Sequence, residues 1–276
     1  MGTSKRERQK QNRTAARAAQ ARAARRNKVK GRTAKWGGLV AVLVVALFAV
    51  SQFDNGKSST STSDSTADSA ATGDSTPTLS TLPGRQITGK TPCPKTDGTE
   101  ERATKFENAP SMCIDPKKTY TATFDTSEGK IVVDLDTKNT PNTVNNFVTL
   151  SRYKYYDTSY VFRTDPSIDI IQGGGATNTD DPGYSIKDEG NGFKYKEGDL
   201  VMARTSAPDS AGGQWFFVTG SKASLLDSQG TYVTFGHVST GLDVVKSILA
   251  LNSGAGDLGG APSTPVQIKT VTISEK

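Results

Sequence analysis

Chemistry-bearing side chains are sparse in this 276-residue chain. It has one histidine, His237, and two cysteines, Cys93 and Cys113. A zinc site needs several such ligands, and a histidine-based triad needs its histidine beside a nucleophile and an acid. The set present argues against both, and no metal is expected. Catalysis, if there is any, must proceed without histidine unless His237 itself takes part. The run Gln172-Gly173-Gly174-Gly175 has the glycine content of a phosphate loop. It lacks the Gly-Lys-Ser/Thr ending, and no helical pattern follows it, which argues against a nucleotide site.

The elements that would position any site lie in the second half of the chain, as the charge distribution shows. Residues 1–35 hold thirteen Lys or Arg and one acid, Glu7, a net of +12. The whole chain is +6, so the remainder carries −6 and is no basic nucleic-acid binder. The stretch from Ala15 to Arg26 has good helix formers but no apolar face. It reads as a topology signal holding this end in the cytoplasm, or as a contact for anionic lipid or RNA. Residues 36–53 form an uncharged apolar run from Trp36 to Phe53. As a helix it spans about 27 Å, close to a bilayer core, and is expected to be a transmembrane helix. A cleaved signal peptide is the alternative, but the charged region before it is long and no clear cleavage site follows. The charge step at Lys35 puts the N-terminus in the cytoplasm and the rest outside. Residues 54–83, rich in Ser, Thr, Asp and Gly, read as a disordered tether. Residues 84–118 form a small segment with both cysteines. Outside the cytoplasm Cys93 and Cys113 are expected to pair, the alternative being two buried free thiols.

Residues 119–276 hold the main domain. Thr119 to Phe124 and Lys130 to Asp136 alternate as strands around a Ser127-Glu128-Gly129 turn. Thr140 is expected to cap a helix with Pro141 in its first position and Val144, Phe147 and Val148 on its apolar face. Short strands follow at Tyr160 to Arg163, Ile168 to Gln172, Leu200 to Arg204, Gln214 to Thr219 and Thr231 to Gly236. A second helix, Gly241 to Leu251, presents Leu242, Val245, Ile248 and Leu249. Val266 to Ile273 closes the set. Many strands, two helices and no βαβ rhythm suggest a closed antiparallel barrel capped by helices.

Four pieces of this domain resemble cyclophilins in order and spacing. The first is Gly129-Lys130-Ile131-Val132-Val133-Asp134-Leu135 with Pro141-Asn142-Thr143-Val144-Asn145-Asn146-Phe147. The second is Phe162-Arg163 with Ile170-Ile171-Gln172-Gly173-Gly174. The third is Leu200-Val201-Met202-Ala203 with Gly212-Gly213-Gln214-Trp215-Phe216-Phe217-Val218-Thr219. The fourth is Leu226-Asp227 with Tyr232-Val233-Thr234-Phe235-Gly236-His237-Val238. The resemblance implies a mainly β fold, a closed eight-stranded antiparallel barrel with two capping helices, here preceded by one transmembrane helix. It implies peptidyl-prolyl cis-trans isomerisation of Xaa-Pro polypeptides, without a cofactor. A cyclophilin-like module that binds proline segments with little turnover is the alternative. A basic tail, anchor, tether and external domain of this kind look like proteins of Gram-positive actinobacteria.

By the same resemblance Arg163 and Gln172 are the catalytic residues. Phe216, Met202 and Leu226 match walls of the proline pocket, Gln214 a groove residue, Ala203 a backbone contact and Ile170 an apolar lining. Phe162 and Tyr232 stand in the groove where the family often has histidines. Other departures are Asp169 in place of an aromatic and an Arg163-to-Gln172 interval one residue longer. Arg204 replaces an Asn, and Leu225 replaces the Trp through which cyclophilins contact cyclosporin.

Overall fold

The computed structural model describes residues 82–254 and 259–276. The basic tail, the expected transmembrane helix and the tether up to residue 81 lie outside the described residues. Among the described residues no helix is long and apolar enough to cross a membrane.

The barrel starts with β3 (Tyr120–Thr126) and β4 (Lys130–Leu135), preceded by two short strands, β1 (Arg85–Ile87) and β2 (Ala103–Phe106). Alternate residues Tyr120, Ala122, Phe124, Ile131 and Val133 are buried, which is the period-two pattern read from the sequence. The β3–β4 turn is tied by the Thr126 hydroxyl, which accepts from the amides of Glu128 and Gly129, both at 3.0 Å. Gly129 sits there at φ +139, a conformation that side chains disfavour.

Helix α1 (Pro141–Arg152) packs against the barrel core, burying Val144, Phe147 and Val148 as expected. Its N-terminus corrects one reading. The Thr140 side chain makes no cap; its hydroxyl donates to the Asp136 carbonyl at 3.0 Å. The cap comes from Glu189, whose carboxylate accepts from the amides of Asn142 (3.0 Å) and Thr143 (2.9 Å). A carboxylate suits the positive end of the helix dipole better than a hydroxyl.

The remaining strands are β5 (Ser159–Val161), β6 (Arg163–Asp165), β7 (Ile170–Gly173), β8 (Asp199–Met202), β9 (Trp215–Val218), β10 (Thr234–Thr240) and β11 (Val266–Glu275). A 3-10 helix (Ser221–Ser228) follows β9, and helix α2 (Leu242–Ala250) follows β10. The sheet order is β5-β11-β3-β4-β10-β8-β9-β7-β6, with antiparallel neighbours throughout. The sheet has nine strands and not eight. The expected single strand from Tyr160 to Arg163 breaks at Phe162. Before the break the chain pairs with β11, after it with β7. The two ends of the sheet are therefore consecutive in sequence. Tyr160 also bridges to Gly175 beyond β7, so the barrel is nearly closed.

The interior is aromatic. Phe124 lies edge-on to Trp215 (5.2 Å) and Phe217 (5.3 Å), and Phe147 contacts Phe235 and Tyr156, each at 5.2 Å. The segment before the barrel belongs to the same core. Ile87, Ala103, Phe106 and Ile114 pack into it, with the Phe106 ring 5.3 Å from that of Tyr153. Cys93 and Cys113 form a disulfide that closes this segment on itself.

Candidate active site

The strands that line the interior with every second residue leave the intervening residues on the outer face. On β7, β8 and β9, Ile171, Leu200, Met202, Trp215 and Phe217 join the core. Ile170, Val201, Phe216 and Val218 are buried yet stand apart from it, as do Ile168, Tyr195, Ala223 and Leu226. These residues form a second apolar group outside the barrel, next to the 3-10 helix that supplies Ala223 and Leu226.

Register places the polar residues beside that group. Arg163 pairs with Gln172, Gln172 with Phe216, Phe216 with Val201, and Val201 with Thr234. This is one row across five strands, with Arg163 at one end and the Phe216 ring in the middle.

The polar end of the row is a continuous hydrogen-bond network. Arg163 donates from Nη1 to Gln172 Oε1 at 3.0 Å and from Nη2 to Asp165 Oδ2 at 2.6 Å. Gln172 donates from Nε2 to Gln214 Oε1 at 3.0 Å. Gln214 then donates to the main-chain oxygens of Asn178 (2.8 Å) and Asp180 (3.1 Å). Both glutamine amides are thereby oriented, and the guanidinium is held on two sides. Arg163 remains partly open, with 19 % of its side chain exposed.

The apolar end is aromatic. The Phe216 ring lies edge-on to Tyr232 at 5.7 Å and 6.4 Å from Tyr195. The Tyr195 hydroxyl donates to the Tyr232 carbonyl (3.1 Å) and accepts from the Tyr232 amide (2.9 Å), which fixes the two rings together. Burial pushes the Tyr232 phenol above its ordinary value, and the charges of Arg204 and Arg163 pull it back.

Of the residues expected at the site, Arg163, Gln172, Gln214, Phe216 and Tyr232 are thus brought together. Ile170 and Leu226 lie in the outer apolar group. Ala203 stays close through its amide, which donates to the Gln214 carbonyl at 2.9 Å. Phe162 is half-buried at the β5–β6 break, its amide donating to the Gln172 carbonyl at 3.1 Å. Met202 is placed elsewhere. It pairs with Trp215 and packs in the interior, so the side chain that β8 turns toward the Phe216 row is Val201.

Two departures from the family pattern are explained by their partners. Asp169 takes a left-handed backbone, φ +50. Its carboxylate accepts from the Lys222 amide at 2.9 Å, in the first turn of the 3-10 helix, and lies 3.4 Å from the Lys222 ammonium. Its charge is thus spent on that turn. Arg204 is 2.7 Å from Asp188 and also donates to the Ala207 carbonyl. Two residues of the site were not read from the sequence. Asp165 stands two positions after Arg163, the spacing that puts two strand residues on one face with opposite charges; that signal was available. Tyr195 lies between glycine-rich stretches with no periodicity to single it out.

Residues 121–273 match the family profile described as cyclophilin type peptidyl-prolyl cis-trans isomerase/CLD. Peptidyl-prolyl cis-trans isomerase B of Escherichia coli (strain K12) is 35% identical over 168 residues, covering 55% of this chain and 99% of that protein. A peptidyl-prolyl cis-trans isomerase of Acinetobacter baylyi is 35% identical over 156 residues, covering 54% of this chain and 82% of the relative. Among solved structures, a cyclophilin type peptidyl-prolyl cis-trans isomerase of Cryptosporidium parvum, in the presence of the dipeptide Ala-Pro, matches with 27% identity and a TM-score of 0.49. It covers 56% of this chain and 99% of that one.

Proposed function

The chain belongs to the cyclophilin-type peptidyl-prolyl cis-trans isomerase family, and on that premise we propose that the Arg163–Gln172–Phe216 row is its active groove. The reaction rotates an amide against a barrier of about 20 kcal/mol. Uncatalysed Xaa-Pro exchange takes on the order of tens to hundreds of seconds. As the bond twists, the proline nitrogen becomes pyramidal and regains a lone pair. A fixed cationic donor binds that state more tightly than the planar amide, which lowers the barrier. Arg163 is the donor: its guanidinium offers N–H donors in a planar fork and is preorganised by Gln172 and Asp165. The proline ring packs against Phe216, and Gln172 and Gln214 bind the peptide backbone.

The observation that carries this reading is the register itself, which sets a tethered guanidinium two strands from an outward-facing buried phenylalanine. The test is a coupled assay on an Xaa-Pro peptide with the full chain. Acceleration that is largely lost in Arg163→Ala, with an unchanged circular dichroism spectrum, supports it. A wild-type chain without acceleration overturns it.

The clients we propose are exported or cell-envelope polypeptides, with the isomerase domain outside a membrane spanned once by residues 36–53. The support is the basic tail before an apolar run, the polar tether after it, and a disulfide in the segment that follows. Protease added to intact cells or spheroplasts should release the domain by cutting within residues 54–83. Complete protection of the domain would refute this placement.

A further inference from the structure

Asp165 is the buried charge of this site that the isomerase chemistry does not itself use. Its side chain is 1 % exposed, against 19 % for Arg163. A carboxylate so buried must be paired and hydrogen-bonded to remain ionised. Both of its oxygens are engaged. Oδ2 receives Arg163 Nη2 at 2.6 Å, and Oδ1 receives the Ser167 amide at 2.9 Å together with the Ser167 hydroxyl.

The backbone that carries this carboxylate is fixed from outside the sheet. Thr164 and Gly260 exchange two main-chain hydrogen bonds, 2.7 and 3.0 Å, so the free edge of β6 is covered. Asn252 donates to the Thr164 carbonyl (2.8 Å) and hydroxyl (2.9 Å). Gly259, at φ +75, lies directly over Asp165. A Cβ built there would collide with the Thr164 carbonyl oxygen and come within 2.8 Å of the Asp165 Cβ, so only glycine lets the chain pass this close to the β6 backbone. The carboxylate is thus the anchored partner and the longer arginine the one that is positioned.

We propose that Asp165 is a positioning residue: its buried carboxylate, together with Gln172, fixes the plane of the Arg163 guanidinium against the groove. The two contacts reach different terminal nitrogens. Together they restrain the plane of the group more than either does alone. A preorganised donor need not reorient as the amide twists, which is the source of its advantage over water. The proposal rests on Arg163 being the donor in the isomerase reading.

The test is a double-mutant cycle in the full chain, reading kcat and KM separately on an Xaa-Pro peptide. Asp165→Asn keeps the shape of the side chain and removes the charge. Loss of one charge-assisted hydrogen bond to the donor is expected to lower kcat about tenfold or more, with KM nearly unchanged. In an Arg163→Ala background the same change should lower the residual rate no further. A merely structural carboxylate would lower the melting temperature in both backgrounds and leave the kcat of the folded protein intact. Ser167→Ala, which removes one of the hydrogen bonds on Oδ1, should lower kcat in the same direction by roughly two- to threefold. It decides the matter if Asp165→Asn fails to fold. Folded Asp165→Asn with wild-type kcat, or unaltered kcat in Ser167→Ala where Asp165→Asn cannot be obtained, overturns the proposal and leaves the isomerase reading standing. That reading fails separately, through an inactive wild type or an active Arg163→Ala.

Discussion

The inner and outer faces of β7, β8 and β9 are built from alternate residues of the same strands, yet they do different work. Inward, Ile171, Leu200, Met202, Trp215 and Phe217 join Phe124 and the Phe147 ring of α1 in one core. Outward, Gln172 and Phe216 stand beside Arg163, joined by hydrogen bonds on one side and aromatic edges on the other. Burial alone does not separate the two, since Phe216 and Phe217 are 3% and 1% exposed. What separates them is company: the interior is predominantly apolar, and its Trp215 indole nitrogen and Tyr156 hydroxyl are buried without a hydrogen-bond partner, while the outer face sets an apolar wall beside an oriented polar network. Stability should therefore follow the inner face and turnover the outer one.

The strongest way to break this comparison is Phe217→Ala. A void in the interior should cost about 3 to 5 kcal/mol, measured by denaturant unfolding, with the folded fraction still turning over. If Phe217→Ala keeps its stability and loses activity, the two faces have been assigned the wrong way round.

The next test extends the inner face to the segment before the barrel. Ile87, Ala103, Phe106 and Ile114 are core residues, and the loop closed by Cys93 and Cys113 carries β2. Replacing both cysteines with serine should lower stability by about 2 to 4 kcal/mol, with kcat preserved below the melting transition. Retained stability in the double serine variant would place this segment outside the cooperative unit.

Phe216→Ala probes the outer face at its apolar end. It should lower kcat/KM about tenfold, because the proline ring loses its wall, and should cost less stability than Phe217→Ala. Equal stability losses for the two phenylalanines would erase the distinction.

Acid sharpens the comparison at a site far from the groove in sequence. The hydrogen bond from Arg152, then that from Lys118, holds the Glu275 carboxyl below its ordinary value. Its folded value is thus lower than its unfolded one. The stability it contributes is complete above the unfolded value and is lost as pH falls through the folded value. Glu275→Gln should flatten that limb of the melting temperature against pH without changing kcat at neutral pH.

The smallest effect is expected at Leu225, half exposed on the 3-10 helix. Leu225→Trp should move stability by less than about 0.5 kcal/mol. It should raise affinity for cyclosporin by roughly fivefold or more, by restoring a donor and an aromatic face. Unchanged affinity would show that this position is not the inhibitor contact that the family resemblance implies.

Much of the fold was legible because it is local. The alternation in Tyr120 to Thr126 and Lys130 to Leu135 declares a hairpin, and the spacing of Val144, Phe147 and Val148 declares a helix face. At the candidate site the motifs pointed to Arg163, Gln172, Gln214 and Phe216, which the fold brings together. The errors are all long-range in origin. Thr140 has the composition of a cap, but Glu189, 47 residues from Asn142, reaches the helix first. Tyr160 to Arg163 has the composition of one strand, but β11 and β7 claim its two halves. Met202 has the composition of a pocket wall, but its pairing with Trp215 turns it inward.

The sequence by itself determined which residues share a face, because successive strand side chains point to opposite sides and the alternation of Trp215, Phe216 and Phe217 is written in the chain. It did not determine which of the two faces would become the interior, or what would stand beside Phe216. Those depended on register, where a slip of one residue exchanges every inward side chain for an outward one. Pairing between strands distant in sequence placed Gln172 against Phe216, and the β6–β7 hairpin added Arg163 against Gln172. Tertiary packing also buried Asp165 beside Arg163, which gave the guanidinium an anion to pair with.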